Sequence, residues 1–143
     1  MKAKEEEALL LQKKITEGFI KYLKTGKPFY LGNVYAKRDW GYAKEYVRVM
    51  HKMLQQEIPD DYVIGTGESH SVEEFANFVF DYAGLKLSNH LIINPRLYRP
   101  HEVPALCGDY SKAKVKLGWE PKVKFKELAK IMYEADLKLL IKS

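Results

Sequence analysis

Hydrophobic positions recur at helical spacing over four long segments of this chain, whereas apolar runs typical of strands are short and separated. In the first segment the apolar positions share one helical face: Leu11, Ile15, Phe19, Tyr22 and Leu23. Gly26 and Pro28 predict the end of this helix. Residues 1–10 are rich in lysine and glutamate, and we expect them to form a flexible extension.

The pattern predicts three further long helices and one short one. Residues 42–57 form the second helix, and its predicted buried face comprises Tyr46, Val47, Met50 and Leu54. A capping box of Ser71 and Glu74 opens the third, whose predicted inward positions are Val72, Phe75, Ala76, Val79 and Ala83. The last, at residues 126–141, is predicted to bury Leu128, Ile131, Met132, Ala135 and Leu139. Asp109 and Gly118 bracket a short helix at residues 111–117.

Short apolar runs at residues 29–31, 62–64 and 91–93 predict strands. With long helices and short, scattered strands, the fold class is α+β, mixed and helix-dominated. The length of 143 residues, 46% of them hydrophobic, suits one core, and we expect a single domain over residues 1–143.

Composition narrows the function classes. The net charge of +5 arises from 24 basic and 19 acidic residues that are mixed along the chain, which favours anionic ligands without indicating nucleic acid. Cys107 is the only cysteine, so an internal disulfide is excluded, and we expect it to be a small buried residue. No apolar run is long enough to span a membrane, and the acidic start is unlike a signal peptide, so we expect a cytoplasmic protein.

Two loops carry candidate binding chemistry. Lys37, Arg38 and Asp39 follow the first strand beside aromatic rings, a composition suited to an anion site in which a carboxylate orients a guanidinium. Arg96, Arg99, His101 and Glu102 form the second cluster, suited to phosphate and hydroxyl recognition. The alternatives are a solvated turn for the first loop and ordinary surface ion pairs for the second.

Two other motifs are rejected on their context. Gly65-Thr66-Gly67 imitates the start of a dinucleotide fingerprint, but His70 stands where the third glycine is needed, so we interpret it as a turn. Tyr110 and Lys114 have the spacing of the short-chain dehydrogenase catalytic pair, but no nucleotide-binding segment precedes them in these residues. His51 has no second ligand nearby in sequence, and we expect no metal site.

Several separate stretches resemble, in the family's order, the GDP-mannose 4,6-dehydratases, which are extended short-chain dehydrogenase/reductases acting on sugar nucleotides. The matching stretches are residues 30–33 and 36–47, 61–67 with 71–72, 95–103, and 108–114 with 117–119. The resemblance covers about residues 14–139. It implies the small C-terminal substrate-binding domain of such an enzyme, with the Rossmann domain absent from these residues.

The same resemblance implies the roles of individual residues. Arg38 and Arg99 match the two arginines that meet the nucleotide diphosphate, and Glu102 matches the acidic residue that bonds the ribose. Leu31, Gly32 and Asn33 lie where the family's chain passes the base, and Lys37 is a weaker phosphate candidate. The resemblance implies no catalytic or cofactor-binding residue here, because NADP and the catalytic Tyr-Lys pair belong to the Rossmann domain of the full-length enzyme. The expected ligand is GDP-mannose or a related nucleotide sugar.

Binding one diphosphate requires the two loops, roughly 60 positions apart, to converge. Beyond that, the sequence leaves three functions open. The first is the binding part of a dehydratase that is inactive alone: a truncated product, a separately expressed domain, or one half of a split enzyme whose Rossmann half is another polypeptide. The second is a stand-alone nucleotide-sugar-binding or regulatory module. The third is a structural fragment that binds nothing and whose apolar face is exposed unless the chain self-associates over it.

Overall fold

A computed structural model describes the backbone of residues 2–142 and the side chains of residues 13–142 except that of Phe29. Five α-helices are α1 (Lys2–Thr25), α2 (Ala43–Leu54), α3 (Val72–Tyr82), α4 (Ser111–Leu117) and α5 (Phe125–Lys142). Four short strands are β1 (Phe29–Leu31), β2 (Lys37–Arg38), β3 (His70–Ser71) and β4 (Leu91–Ile93). The side chains of the extension predicted at residues 1–10 lie outside the described residues, so its flexibility stays a prediction.

Most predicted elements are confirmed. The capping box that opens α3 has both of its bonds, from the Glu74 amide to Ser71 Oγ at 3.1 Å and from the Ser71 amide to Glu74 Oε2 at 2.5 Å. The predicted bounds of α4 agree with the structure, and Gly118 ends it in the left-handed region at φ 62°. Asp109 accepts hydrogen bonds from the hydroxyl and the amide of Ser111, and these lower the pKa of its carboxyl.

The strands form two small two-stranded sheets. Strand β1 pairs in parallel with β4, with Tyr30 opposite Ile92. Strand β2 pairs antiparallel with β3, with Arg38 opposite His70, and this second pairing was not predicted. Because β1 and β4 are parallel, the segments that follow them leave the sheet at the same end. Residues 32–38 and 94–106 therefore become neighbours.

One apolar core lies between α1, α3 and α5. Phe19 and Phe80 meet edge-to-face with ring centroids 4.9 Å apart, and Tyr133 packs on Phe19 at 5.4 Å. A second, smaller cluster holds Val49, Ala113, Leu117 and Trp119. The buried carboxylate of Glu45 accepts the backbone amides of Lys122 and Val123, each at 2.7 Å, and so attaches the segment between α4 and α5 to helix α2.

Three of the four residues predicted to form the buried face of α2 are wrong, and only Tyr46 packs, partly buried, on the second cluster. Val47, Met50 and Leu54 are exposed, at 64%, 48% and 82%, whereas Glu45 and Val49 are buried. The helix contacts the second cluster through a different stripe from the one that its apolar pattern favours.

Three smaller expectations also fail. Residues 62–64 form no strand in the described structure. Cys107 is exposed, because it lies in the open loop before α4 and not under an element. Helix α5 buries Leu128, as predicted, but it turns Tyr133 inward and leaves Leu139 67% exposed.

An exposed ionic cluster joins the loop after α2 to α4. Asp60 accepts from Lys112 Nζ at 2.9 Å and from Lys116 Nζ at 3.2 Å. The hydrogen bonds from Lys112, from the Asp61 amide and from Lys116 lower the pKa of Asp60 to about 2.

This pKa makes folding stability depend on acid. Because the carboxyl of Asp60 is more acidic in the folded chain than its ordinary value of 3.8, its stabilising effect is present above about pH 4 and is lost as the pH falls toward 2. We expect Asp60→Asn to lose less stability than the unmodified chain over that interval, measured by urea unfolding. Asp61→Asn, at the adjacent exposed position, should follow the unmodified curve. Parallel acid profiles for Asp60→Asn and the unmodified chain would contradict the assignment.

Candidate functional site

The carboxylate of Asp39, directly after β2, accepts backbone hydrogen bonds from two other parts of the chain. It accepts the Thr66 amide at 2.9 Å, the Thr66 hydroxyl at 2.7 Å, the Gly67 amide at 3.3 Å and the Gly108 amide at 2.9 Å. Hydrogen bonds to an ionised acceptor are the stronger kind. Asp39 therefore joins three segments that are far apart in sequence.

Two glycines allow this close approach. A Cβ on Gly65 would lie 2.8 Å from both Asp39 Oδ2 and the Cα of Gly108. A Cβ on Gly108 would lie 3.0 Å from the Cα of Gly65. The amides of the turn around Gly67 thus donate to the carboxylate of Asp39. They are not presented to a dinucleotide pyrophosphate. This agrees with our rejection of the fingerprint at this turn.

The loop between β1 and β2 is anchored to α3. The carbonyls of Val34 and Ala36 accept the amides of Glu73 and Val72 at 2.9 and 3.1 Å, which satisfies the first donors of that helix. The indole of Trp40 stacks on Phe75 with centroids 4.6 Å apart and is almost fully buried. Arg38 consequently stands on a fixed stretch of backbone.

Arg38 reaches across to the second loop. Its Nη1 donates to the carbonyl of Val103 at 2.7 Å and to that of Lys37 at 2.8 Å, and its Nη2 donates to Glu102 Oε1 at 3.3 Å. Both partners of this ion pair are 19% exposed. The pair therefore closes the two predicted loops on each other.

Asn33 completes the network from the other side. Its Nδ2 donates to Glu102 Oε2 at 3.0 Å, and its Oδ1 accepts the amide of Tyr35 at 3.0 Å. Both oxygens of Glu102 thus bind residues of the first loop. The backbone of Lys37 also pairs with the second loop, through the carbonyl of Pro104 at 2.9 Å and the amide of Leu106 at 3.1 Å.

The remaining predicted residues differ in how they are presented. The side chains of Lys37 and Arg99 are exposed, and Arg99 lies three positions before Glu102 in the second loop. Leu31 is buried, and its carbonyl accepts the amide of Asn94 at 2.8 Å, so it positions the loop from within the fold. Gly32 lies against the backbone of Leu97. A Cβ at position 32 would lie 2.6 Å from the carbonyl oxygen of Leu97.

The carboxylate predicted to orient Arg38 is wrong. Asp39 does not orient Arg38; Glu102 does, while Asp39 holds the glycine turn. Spacing along the chain favours the adjacent carboxylate, but successive side chains of an extended backbone point to opposite sides, and Asp39 directly follows the strand that ends at Arg38.

The surroundings of the two loops are open. Two hollows among the described residues lie away from these loops: one of about 450 Å³ near Asp60 and Tyr62, and one of about 340 Å³ between α1 and α5. Residues 98–101 of the second loop are exposed, so the loop pair lies at the surface of the described structure. The described residues contain no group of three or more potential metal ligands and no helix long and apolar enough to cross a membrane.

Comparison with known proteins decides the family. Residues 3–132 match the family model described as GDP-mannose 4,6 dehydratase. The chain belongs to the GDP-mannose 4,6-dehydratase family. It is 54% identical over 110 residues to GDP-mannose 4,6 dehydratase 1 of Arabidopsis thaliana, an alignment of 77% of this chain and 30% of that protein. It is 41% identical over 151 aligned positions to the human GDP-mannose 4,6 dehydratase, covering 93% of this chain and 41% of the relative.

The fold comparison agrees. The structure superposes with a TM-score of 0.73 on UDP-glucose 4-epimerase of Thermotoga maritima, solved with UDP-glucose, at 25% identity over 93% of this chain and 40% of the other. The chain thus spans well under half the length of these relatives, and it corresponds to the C-terminal part of the family.

Replacing Asp39 tests whether its carboxylate holds the site together. Asp39→Asn keeps the shape but presents an amide NH₂ to backbone donors, so we expect the free energy of unfolding to fall by about 2–4 kcal/mol, as for losing hydrogen bonds to a charged group. The measurement is urea denaturation. Asp81→Asn, on the exposed face of α3, serves as the matched control and should change stability little. Equal stability of Asp39→Asn and the control would show that the carboxylate is dispensable.

Proposed function

We propose that this chain is the nucleotide-sugar-binding part of a GDP-mannose 4,6-dehydratase-like enzyme and that it has no dehydratase activity alone. The observation that carries the proposal is the convergence of the two basic loops, joined by Arg38, Glu102 and Asn33. Family membership and the relatives' printed names support the choice of ligand. The substrate class is GDP-mannose or a close relative of it.

The unused bonding capacity of the network suits a diphosphate beside a ribose. Of the five N–H donors of Arg38, three are committed, which leaves one on Nη2 and one on Nε for a phosphate oxygen. The exposed cations of Lys37 and Arg99 add charge at the same loops. Each oxygen of Glu102 has a second lone pair, so the carboxylate can still accept a hydroxyl.

The groups that remove and return hydride would have to lie outside this chain. In this proposal the nicotinamide cofactor and the Tyr-Lys pair belong to the part of the family that this chain does not span. The chain's own residues supply binding and orientation only. A stand-alone binding module is the alternative, and the presence or absence of an obligate partner separates the two.

Binding of GDP to the purified chain tests the site. We expect weak binding by titration calorimetry, because the loop surface is open, and weaker binding still for GMP, which lacks the second phosphate. Arg99→Ala and Lys37→Ala should each weaken GDP about 10- to 100-fold, the loss of one charge-assisted hydrogen bond. Both side chains are exposed, and urea unfolding of each variant separates a loss of binding from an effect on the fold.

Lys138→Ala, on the exposed side of α5, removes one positive charge away from the loops and is the matched control. Its affinity for GDP should equal that of the unmodified chain. The assignment of the loops fails if all three alanine variants bind alike, or if GDP does not bind at all.

A turnover assay tests the second half of the proposal. Purified chain supplied with GDP-mannose and NADP should form no 4-keto-6-deoxy sugar nucleotide by mass spectrometry, whereas the full-length Arabidopsis relative should form it under the same conditions. Product formation by this chain alone would refute its inactivity and leave the binding site standing.

A further inference from the structure

Tyr35 is an exposed aromatic residue in the loop that joins β1 to β2. Its side chain is 65% exposed, whereas the residues on either side of it, Val34 and Ala36, are 1% and 2% exposed. The two buried neighbours hold the loop against the core, so the ring of Tyr35 projects away from the core. Among the described residues, neither apolar cluster counts this ring among its members. Packing of the fold therefore does not account for its position.

The backbone that carries this ring is fixed. The Tyr35 amide donates to Asn33 Oδ1 at 3.0 Å, and the carbonyls of Val34 and Ala36 accept amides of α3 at 2.9 and 3.1 Å. Only the two side-chain torsions of the tyrosine remain to be set when a ligand binds. A tyrosine thus supplies a large contact area at a low cost in conformational entropy.

The ring lies close to the carboxylate of Glu102, which the proposed function assigns to a ribose hydroxyl. Asn33 links the two residues: its Nδ2 donates to Glu102 Oε2 at 3.0 Å, and its Oδ1 accepts the Tyr35 amide at 3.0 Å. Because the oxygen and nitrogen of one amide group are only about 2.3 Å apart, the Tyr35 nitrogen lies within about 9 Å of Glu102 Oε2. A tyrosine side chain on that backbone can reach a group attached to the same ribose.

A nucleotide has three parts, and these loops already offer partners for two of them. The cations of Lys37, Arg38 and Arg99 suit the diphosphate, and the carboxylate of Glu102 suits a ribose hydroxyl. The third part is a flat aromatic base, which proteins bind by stacking it on an aromatic side chain. Tyr35 presents such a ring at the loop pair.

We propose that the ring of Tyr35 stacks on the base of the bound nucleotide. This inference rests on the proposed function and extends it from the phosphates and the ribose to the base. Every base has a π-face, so a stack contributes affinity without reading which base is present. The contribution of Tyr35 is therefore the same for GDP and ADP, and it is smaller for UDP, whose pyrimidine has one ring instead of two.

Titration calorimetry with GDP and with inorganic pyrophosphate tests the stack. Tyr35→Ala should weaken GDP about 5- to 150-fold, the range for one base stacked on one ring, and should leave pyrophosphate unchanged because pyrophosphate has no base. Tyr35→Phe keeps the ring face and should bind GDP within about twofold of the unmodified chain. Tyr35→Leu keeps apolar bulk without a ring and should lose affinity as alanine does.

Tyr82→Ala is the matched control. It removes a 45% exposed tyrosine from the last position of α3, the end of that helix opposite to the one that contacts the loop of Tyr35. GDP should bind this variant as it binds the unmodified chain. Tyr98→Ala, at a 46% exposed tyrosine of the second loop, asks whether the base lies on that loop instead.

Nuclear magnetic resonance of bound GDP gives a reading that a purely structural role of Tyr35 would not move. The ring current of a stacked tyrosine shifts the H8 signal of guanine upfield, and this shift should persist in Tyr35→Phe and vanish in Tyr35→Leu.

Three results would overturn the stack while GDP binding by the unmodified chain upholds the proposed function. They are equal GDP affinity of Tyr35→Ala and the unmodified chain, an equal loss of pyrophosphate binding in Tyr35→Ala, and a loss of GDP affinity in Tyr98→Ala in place of Tyr35→Ala. Failure of the unmodified chain to bind GDP would overturn the proposed function and the stack together.

Discussion

A single carboxylate determines where the candidate site can exist. Asp39 sits between the loop that joins β1 to β2 and helix α2, and its bonds to Thr66, Gly67 and Gly108 bring the glycine turn and the segment before α4 onto the end of β2. A half-buried carboxylate is stable only where several donors meet it. These donors are backbone amides on two distant segments, so the cost of burying the charge is offset only in the folded arrangement. Because Arg38 directly precedes Asp39, its backbone is held in place by the same hydrogen bonds.

On this base the two basic loops are joined by charge and by backbone pairing together. The Arg38–Glu102 pair taken alone would contribute modestly, since partly exposed ion pairs are weak. Here it is combined with the bond from Asn33 to Glu102 and with the backbone bonds of Lys37 to Pro104 and Leu106. The result is a prearranged set of donors and acceptors, which lowers the ordering cost of binding a charged ligand.

Sequence reasoning succeeded where the signal is local. Helix caps such as Ser71 with Glu74, the end of α4 at Gly118 and the short strands at residues 29–31 and 91–93 depend on nearby residues and were predicted. The choice of partner for Arg38 was missed, because it is settled by the pairing of β1 with β4, which are roughly 60 positions apart. The buried face of α2 and the strand at residues 62–64 failed for another reason. An apolar pattern records which surfaces need covering, and it does not say that the cover is part of the same chain.

Whether the two loops act as one binding site is tested most directly by nuclear magnetic resonance of the labelled chain during titration with GDP. The account predicts that backbone signals of residues 33–38 and of residues 99–103 shift together and follow one binding curve. It also predicts that signals of α1 and α5 stay in place. Shifts confined to one loop, or two loops that respond with different affinities, would contradict the claim that Arg38 and Glu102 belong to one nucleotide site.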